Sequence, residues 1–261
     1  MAGPDYQSRV LPLLKKAREA ILSQYGAVAP LRQKSASPAD VVTECDLLVE
    51  DTVSKGLRKA FPDISFVGEE SGGDRSTSRH WLMDPIDGTA HFVRGMPFCS
   101  IMLALIENGA VTFGAIVLIE NGDAYVAGAG QGATKNGMPI SVSTRSLADG
   151  YVAYESKLDH GNNLQLMVEL RKRTTLMKTL SAGFEFAMIA EGKMEGRVNF
   201  TPWGMDYDFA PGSLLVQEAG GQVVNLGATT YDFRNTDLIA GNKKIISGLA
   251  EGNDALFPVQ E

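Results

Sequence analysis

Apolar residues recur every three or four positions across residues 5–24, placing Val10, Leu13, Leu14, Ala17, Ile21 and Leu22 on one side of a predicted helix. Pro12 falls in its first turn or at a kink, where a missing N–H is tolerated. A second helix is predicted from about Asp40 to residue 60, burying Val49, Val53, Leu57 and Phe61 and closed by Pro62. Residues 64–68 and 80–84 then give two short strands, each running into acidic residues. Three longer strand-like runs follow, 99–107, 110–120 and 123–129, separated by Asn108-Gly109 and Asn121-Gly122. Asn-Gly between such runs is a strong hairpin signal because both residues accept positive φ. With a further turn at residues 135–139, the middle of the chain reads as an antiparallel meander.

After about Ser146 the pattern changes. Strands are predicted at 151–155, 175–179, 197–200, 222–225 and 238–240, and helices at 162–173, 182–191, 208–219 and 243–252. Such alternation predicts a layered α/β half. The chain therefore divides into an N-terminal α+β half, residues 1–145, with a helix pair and an antiparallel sheet, and a C-terminal α/β half, residues 146–261. No repeat or low-complexity linker separates them.

Composition narrows the partners. At 261 residues, with 44% hydrophobic and 21% charged residues, the chain is an ordinary globular sequence with room for a large core. A net charge of −7 and the lack of a Lys/Arg run argue against nucleic acid as the main partner. Cys45 and Cys99 have no metal-ligand spacing, and two thiols in a chain this long fit a reducing compartment. The first 24 residues mix Lys15, Lys16, Arg18 and Glu19 with apolar positions and lack the apolar stretch of a signal peptide. No window approaches the ~18 apolar residues of a membrane span. The expectation is a cytoplasmic protein.

The chemistry is concentrated in a few acidic segments. Trp81-Leu82-Met83-Asp84-Pro85-Ile86-Asp87-Gly88-Thr89 sets two carboxylates three residues apart at the end of an apolar run, followed by a glycine and a hydroxyl. Carboxylate oxygens are hard ligands that suit Mg²⁺. The free N–H groups of a helix start after Gly88 would bind an anion. Asp-Pro-x-Asp-Gly is also ordinary turn chemistry, so the other carboxylates decide. Gly68-Glu69-Glu70-Ser71 closes a predicted strand, as a further ligand or as a solvated loop. Asp46 stands near the start of the second helix, as a cap or as a holder of a hydroxyl that positions water. Near Trp203-Gly204-Met205-Asp206-Tyr207-Asp208, either Asp206 or Asp208 can be a ligand. Pro211 favours Asp208, because a cap there places the proline in the first helical turn.

Taken in order, Glu69-Glu70 after a glycine, Asp84-Pro85-Ile86-Asp87-Gly88-Thr89, and Asp208 ahead of Glu218-Ala219-Gly220-Gly221 resemble the inositol monophosphatase family of Mg²⁺-dependent, lithium-sensitive phosphatases. The likeness runs from about Lys34 to Gly221. It implies an αβαβα sandwich of the inositol monophosphatase/fructose-1,6-bisphosphatase type and a homodimer. It also implies two or three Mg²⁺ ions, with Mn²⁺ as a substitute. Glu69, Asp84 and the carbonyl of Ile86 would hold the first; Asp84, Asp87 and Asp208 the second; Glu69 with waters a third. Asp46 and Thr89 would orient the attacking water, with Glu69 counted among the catalytic residues. The amides of Gly88 and Thr89 would grip the phosphate, and Asp87, Gly183, Glu185 and Asp208 would complete the substrate site. Lys34 would lie near the entrance.

Several positions depart from the pattern. The family commonly has Trp directly before the last metal-binding Asp, where this chain has Tyr207 and carries Trp203 four residues upstream. A Glu seven residues before that Asp, frequent in inositol phosphatases, is replaced by Thr201. Phe184 and Glu185 are bulky where small residues are common, which predicts a reshaped alcohol pocket. His91 reads as a packing or surface residue more readily than as a substrate contact, and His80 and His160 form no zinc pattern with it. The expected function is hydrolysis of a small phosphorylated metabolite, inositol monophosphate or a similar polyol or sugar phosphate. Histidinol phosphate, fructose 1,6-bisphosphate and 3′-phosphoadenosine 5′-phosphate are the alternative substrates. A regulatory binding protein that retains the fold is the alternative of another class.

Overall fold

A computed structural model of the chain describes residues 5–34 and 41–259; Asp40, where the pattern starts the second helix, lies outside the described residues. Asp5 caps α1 (Tyr6–Ile21) by accepting from the Ser8 amide at 3.1 Å. The stripe Val10, Leu14, Ala17 and Ile21 is buried, and Pro12 sits within the helix without ending it. A short antiparallel pair follows, β1 (Arg32–Gln33) with β2 (Val41–Val42). Because Val41 and Val42 are extended, α2 (Glu44–Ala60) starts later than the pattern predicts, at a Thr43 cap.

The first sheet has seven strands in chain order: β3 (Ser65–Gly68), β4 (Arg79–Asp87), β5 (Ser100–Glu107), β6 (Ala110–Leu118), β7 (Ala124–Gly128), β8 (Ala133–Lys135) and β9 (Met138–Pro139). Only the β3–β4 pair is parallel. The Asn108-Gly109 turn has φ of 51° and 80°, as a two-residue hairpin requires. The same geometry recurs at Asn136-Gly137, with φ of 51° and 81°. At Asn121-Gly122 only the glycine is left-handed, and a longer loop is closed by Leu118 N donating to Asp123 O at 2.9 Å.

β4 runs three residues beyond the predicted strand, and the reason matters for the site. Asp84 pairs with Met102 and Asp87 with Ser100, so three steps on β4 span two on β5. Pro85 and Ile86 lie within this bulge, the place in a sheet where a missing N–H is tolerated. In a regular strand, residues three apart face opposite sides. The extra residue restores the parity, and both carboxylates face the side that carries Met102.

The second half adds β10 (Tyr151–Glu155), β11 (Thr175–Lys178), β12 (Gly196–Asn199), β13 (Gln222–Asn225) and β14 (Leu238–Gly241), in the spatial order β11-β10-β12-β14-β13. β11 and β12 are both parallel to β10. The helices after α2 are α3 (Thr89–Val93), α4 (Asn163–Arg171), α5 (Ala182–Ala190), α6 (Asp206–Glu218) and α7 (Lys243–Ala250).

Period-two burial sorts these elements into layers. Ile101, Leu103 and Leu105 of β5 pack with α1 and α2, while Met102 faces Phe186 of α5 and Phe209, Leu215 and Val216 of α6. The same middle helices meet Ala153 and Ala240 of the second sheet. Val152, Val198 and Ile239 on its other face pack on Leu170 of α4 and on Ile245 and Leu249 of α7. The architecture is an αβαβα sandwich.

One prediction about α6 needs correction. The helix begins at Asp206, so Pro211 is its sixth residue and not in the first turn. Asp208 reaches back to the Met205 amide at 2.5 Å, a cap contact that extends the helix start beyond where the proline rule alone would put it.

Candidate active site

The bulge in β4 and the start of α6 meet in a buried pit. Asp84 and Asp87 are 2% and 6% exposed, and one carboxylate oxygen each from Asp84, Asp87 and Asp208 lie within 4.8 Å of one another. Asp84 Oδ1 is buried without a hydrogen-bond partner. Burial pushes the Asp84 carboxyl well above its usual range, and the charges of Glu69, Asp208 and Asp87 push it further. Asp208 is likewise raised well above its usual value, first by burial and then by Asp87. Asp87 is raised by burial but partly relieved by the Gly183 amide and by Arg197. An acid cluster with an unpartnered oxygen and mutual repulsion has the donor chemistry of a hard divalent cation site.

Each surrounding residue has a traceable support. Glu69 follows β3, and its amide donates to Met83 O at 3.1 Å. Lys34 donates to Glu69 Oε1 at 2.7 Å and also pairs with Glu70. Burial works against the Lys34 charge, but Glu69 and Glu70 outweigh it and hold the ammonium above its usual value. Lys34 therefore lies directly on the pit's border.

Asp46 is fully buried and serves both readings of it. Its Oδ2 accepts from Thr43 N at 2.7 Å and from Thr43 Oγ1 at 2.6 Å, capping α2. Its Oδ1 lies 3.0 Å from Thr89 Oγ1, which is also 2.9 Å from the Ile86 carbonyl. Gly88 starts α3 with φ of 80°, so Thr89 stands on the first residue of a helix directly below the pit.

Asp87 is tied to α5. Gly183 N donates to Asp87 Oδ2 at 2.7 Å and Ala182 N to Oδ1 at 3.3 Å. A Cβ on Gly183 would fall 2.8 Å from Met102 Sδ, so the glycine permits this approach. Asp206 turns away from the pit to pair with Arg75. Tyr207 stays beside it; burial, Glu69 and Asp208 hold its phenol above the usual value.

Glu185 is placed differently from the expectation. It is 2% exposed, accepts from Leu180 N at 2.6 Å and Thr179 Oγ1 at 3.2 Å, and pairs with Arg197. The structure thus places its carboxylate as the buried partner of Arg197. Arg197 also pairs with Glu155, whose Oε1 accepts from Trp203 N and Gly204 N at 2.9 Å each. This network holds the loop that leads into α6. Phe184 packs edge-on against Phe98 at 5.2 Å, and His91 meets Phe98 at 5.9 Å. Burial first, and Arg94 next, push the His91 imidazole below its usual value.

A cavity of ≈ 270 Å³ opens beside this network, lined by Tyr154, Ser156, Asp159, Lys178, Thr179 and Trp203 among others. It lies at the C-terminal ends of β10 and β11. Ser156 is 2% exposed with an unpartnered Oγ, whereas Trp203 is 57% exposed.

Arg197 and Glu50 are buried charged residues that motif spacing did not mark. A signal existed for both. Glu50 falls on the apolar face of α2, with Cys45, Asp46, Val49, Val53 and Leu57, and Arg197 lies in a strand whose four residues are all buried.

Residues 8–254 match the model of the inositol monophosphatase family. Among curated relatives, the fructose-1,6-bisphosphatase/inositol-1-monophosphatase of Thermotoga maritima is 31% identical over 236 residues, which cover 89% of each chain. The Nus factor SuhB of Pseudomonas aeruginosa is 29% identical over 235 residues, 85% of each chain. Among solved structures, the Thermotoga maritima IMPase is similar with a TM-score of 0.82 at 30% identity, over 93% of each chain.

Proposed function

The chain belongs to the inositol monophosphatase family, and from that premise we propose that its acidic pit cleaves a small phosphorylated polyol or sugar, inositol monophosphate or a close relative. It is a metal-dependent phosphoric monoester hydrolase. The observation that supports this reading is the buried group of Asp84, Asp87 and Asp208, one carboxylate oxygen of each lying within 4.8 Å of the others.

Mg²⁺ fits these donors, two or three ions being held, with Mn²⁺ as a substitute. Glu69, Asp84 and the Ile86 carbonyl would hold one, Asp84, Asp87 and Asp208 a second, and Glu69 with waters a third. When bound, such ions supply charge neutralisation, a more acidic water and stabilisation of the leaving oxygen. The protein does the aiming. The Thr89 hydroxyl lies 3.0 Å from Asp46 Oδ1 and 2.9 Å from the Ile86 carbonyl; were that carbonyl holding an ion, the Thr89 proton would be donated to Asp46. The Thr89 lone pairs are then free to accept from the attacking water and fix its line toward phosphorus. The Gly88 and Thr89 amides hold the phosphate oxygens.

The crevice at β10 receives the alcohol. Trp203 offers a flat apolar face to a ring, and Ser156 Oγ and Asp159 offer partners for hydroxyls. Lys178 at its rim favours, as a second reading, an ester that bears another phosphate, of the fructose 1,6-bisphosphate kind. A separate binding role is the reading of another class, supported by the likeness to the Pseudomonas aeruginosa Nus factor SuhB. We further assign the protein to the cytoplasm as a lithium-sensitive homodimer; the unpaired, buried Cys45 and Cys99 support a reducing compartment.

Phosphate release with Mg²⁺ over inositol monophosphate, sugar mono- and bisphosphates, histidinol phosphate and 3′-phosphoadenosine 5′-phosphate tests the assignment. A polyol or sugar ester should lead, and chelator should abolish turnover. Preference for the nucleotide, or full turnover in chelator, overturns it.

A further inference from the structure

The segment carrying Glu69 belongs to no strand or helix, yet a metal ligand must be aimed. α2 supplies the means. Glu50, one turn beyond Asp46 on the same apolar face, is only 4% exposed. Its carboxylate is met by two consecutive backbone amides, Glu70 N to Oε2 at 2.9 Å and Ser71 N to Oε1 at 2.8 Å. Gly68 makes room for this contact, because a Cβ there would lie 2.5 Å from Glu50 Oε1. Gly68 and Gly72 then close the turn with reciprocal amide-to-carbonyl bonds of 3.0 Å each.

With the Glu69 amide fixed on Met83 O, three successive amides are anchored, the first on β4 and the next two on Glu50. The backbone on both sides of Glu69 is thereby anchored, and its side chain accepts from Lys34 Nζ at 2.7 Å at the border of the pit. A buried carboxylate beside an acidic pit adds repulsion and would be cheaper as an apolar residue. A double, charge-assisted grip on a loop is what an apolar residue cannot supply.

We propose that Glu50 is a positioning residue for the metal site: it grips the Glu70 and Ser71 amides, through the space left by Gly68, and so aims Glu69. The inference rests on the reading of Glu69 as a metal ligand. Glu50 itself touches neither ion nor substrate. In Glu50→Gln one amide acceptor becomes a donor facing an N–H, which loosens the grip while keeping the volume.

The test is a titration of metal-free protein with Mn²⁺, followed by electron paramagnetic resonance, alongside the Mg²⁺ dependence of phosphate release. For Glu50→Gln, one class of Mn²⁺ site should weaken about tenfold or more, as outer-sphere changes at metal sites do. The Mg²⁺ needed for half-maximal rate should rise by the same factor. At saturating Mg²⁺, KM for the ester should stay within about threefold of the parent value, since uniform substrate binding is untouched. Gly68→Ala should give the same metal defect with Glu50 intact, so the idea stays testable if Glu50→Gln does not fold. Glu195→Gln alters another fully buried carboxylate, which accepts from Tyr151 N at 2.6 Å and pairs with the half-exposed Arg145, and should lower thermal stability with Mn²⁺ binding unchanged. Parent-like Mn²⁺ binding in both Glu50→Gln and Gly68→Ala overturns the inference alone, as does equal weakening in Glu195→Gln. Absence of Mn²⁺ binding in the parent protein overturns the metal reading with it.

Discussion

Two groups of buried acids lie on either side of the loop that leads into α6, and they are solved in opposite ways. Glu155 and Glu185 flank Arg197, which is fully buried, pairs with both, and lies over the Phe186 and Phe209 rings at 5.6 and 5.1 Å. At Glu185 burial raises the carboxyl and the Arg197 charge opposes it. In the pit, burial raises Asp84 and its neighbours Glu69, Asp208 and Asp87 all add to the rise. The first group carries its counter-charge in the sequence. The second is met only in part from within, by Lys34 at Glu69 and by Arg197 at Asp87, while Asp84 Oδ1 is left without a hydrogen-bond partner.

The sharpest way to break this contrast is to remove one acid from the pit. Asp84→Asn should lower kcat/KM with Mg²⁺ by at least about a thousandfold, ~4 kcal/mol of transition-state stabilisation. The same substitution removes a repelling charge, so in chelator it should raise the thermal midpoint, by about 2–4 °C for each kcal/mol gained. A lower midpoint in chelator together with lost activity would mean that Asp84 is a structural acid, like Glu185. Asp87→Asn separates the enzymatic reading from the binding one: a cellular effect that survives the loss of phosphatase activity belongs to a partner surface.

The internal group should respond in the other direction. Arg197→Met leaves Glu155 and Glu185 buried without their cation, and removing one partner of such a pair costs about 3–5 kcal/mol. Urea denaturation would measure it, and added Mg²⁺ should restore little of the loss. Full rescue by Mg²⁺ would show that the two groups form one electrostatic unit, and the distinction between them would fall.

The same contrast explains what the sequence made legible. Asp84, Asp87 and the layered architecture could be read because hydrophobic periodicity marks the strands and the Asp-Pro-Ile-Asp-Gly segment is short. What periodicity could not show is the bulge at Pro85-Ile86, which turns two carboxylates three residues apart onto one face. Nor could it place Glu185. The resemblance implied a place for it in the substrate site, whereas its pairing with Arg197, twelve residues away, is visible only once β12 lies beside β10. The Pro211 argument selected Asp208 over Asp206 although the helix starts a turn earlier than that argument requires; Arg75, from the β3–β4 loop, is what removes Asp206 from the pit. Long-range pairing decided each of these.

The smallest effect is the most direct measure of the unmet charge. Asp84 and Asp208 have folded-state pKa values raised by burial first and by neighbouring carboxylates next. In the unfolded chain they ionise in the ordinary carboxylate range. Between the two values the folded state binds more protons, so stability falls as pH rises. These two residues therefore favour folding fully only below the ordinary carboxylate range, and that contribution is lost as pH climbs through the raised values. In chelator the thermal midpoint should therefore decline as pH rises above the ordinary carboxylate range. A bound divalent ion holds the carboxylates ionised, so with Mg²⁺ the decline should vanish and the gap between the two curves should widen with pH. Asp84→Asn should narrow that gap. A gap of constant width across the range would mean that the pit's acids are already paired within the protein, and the two buried groups would then be alike.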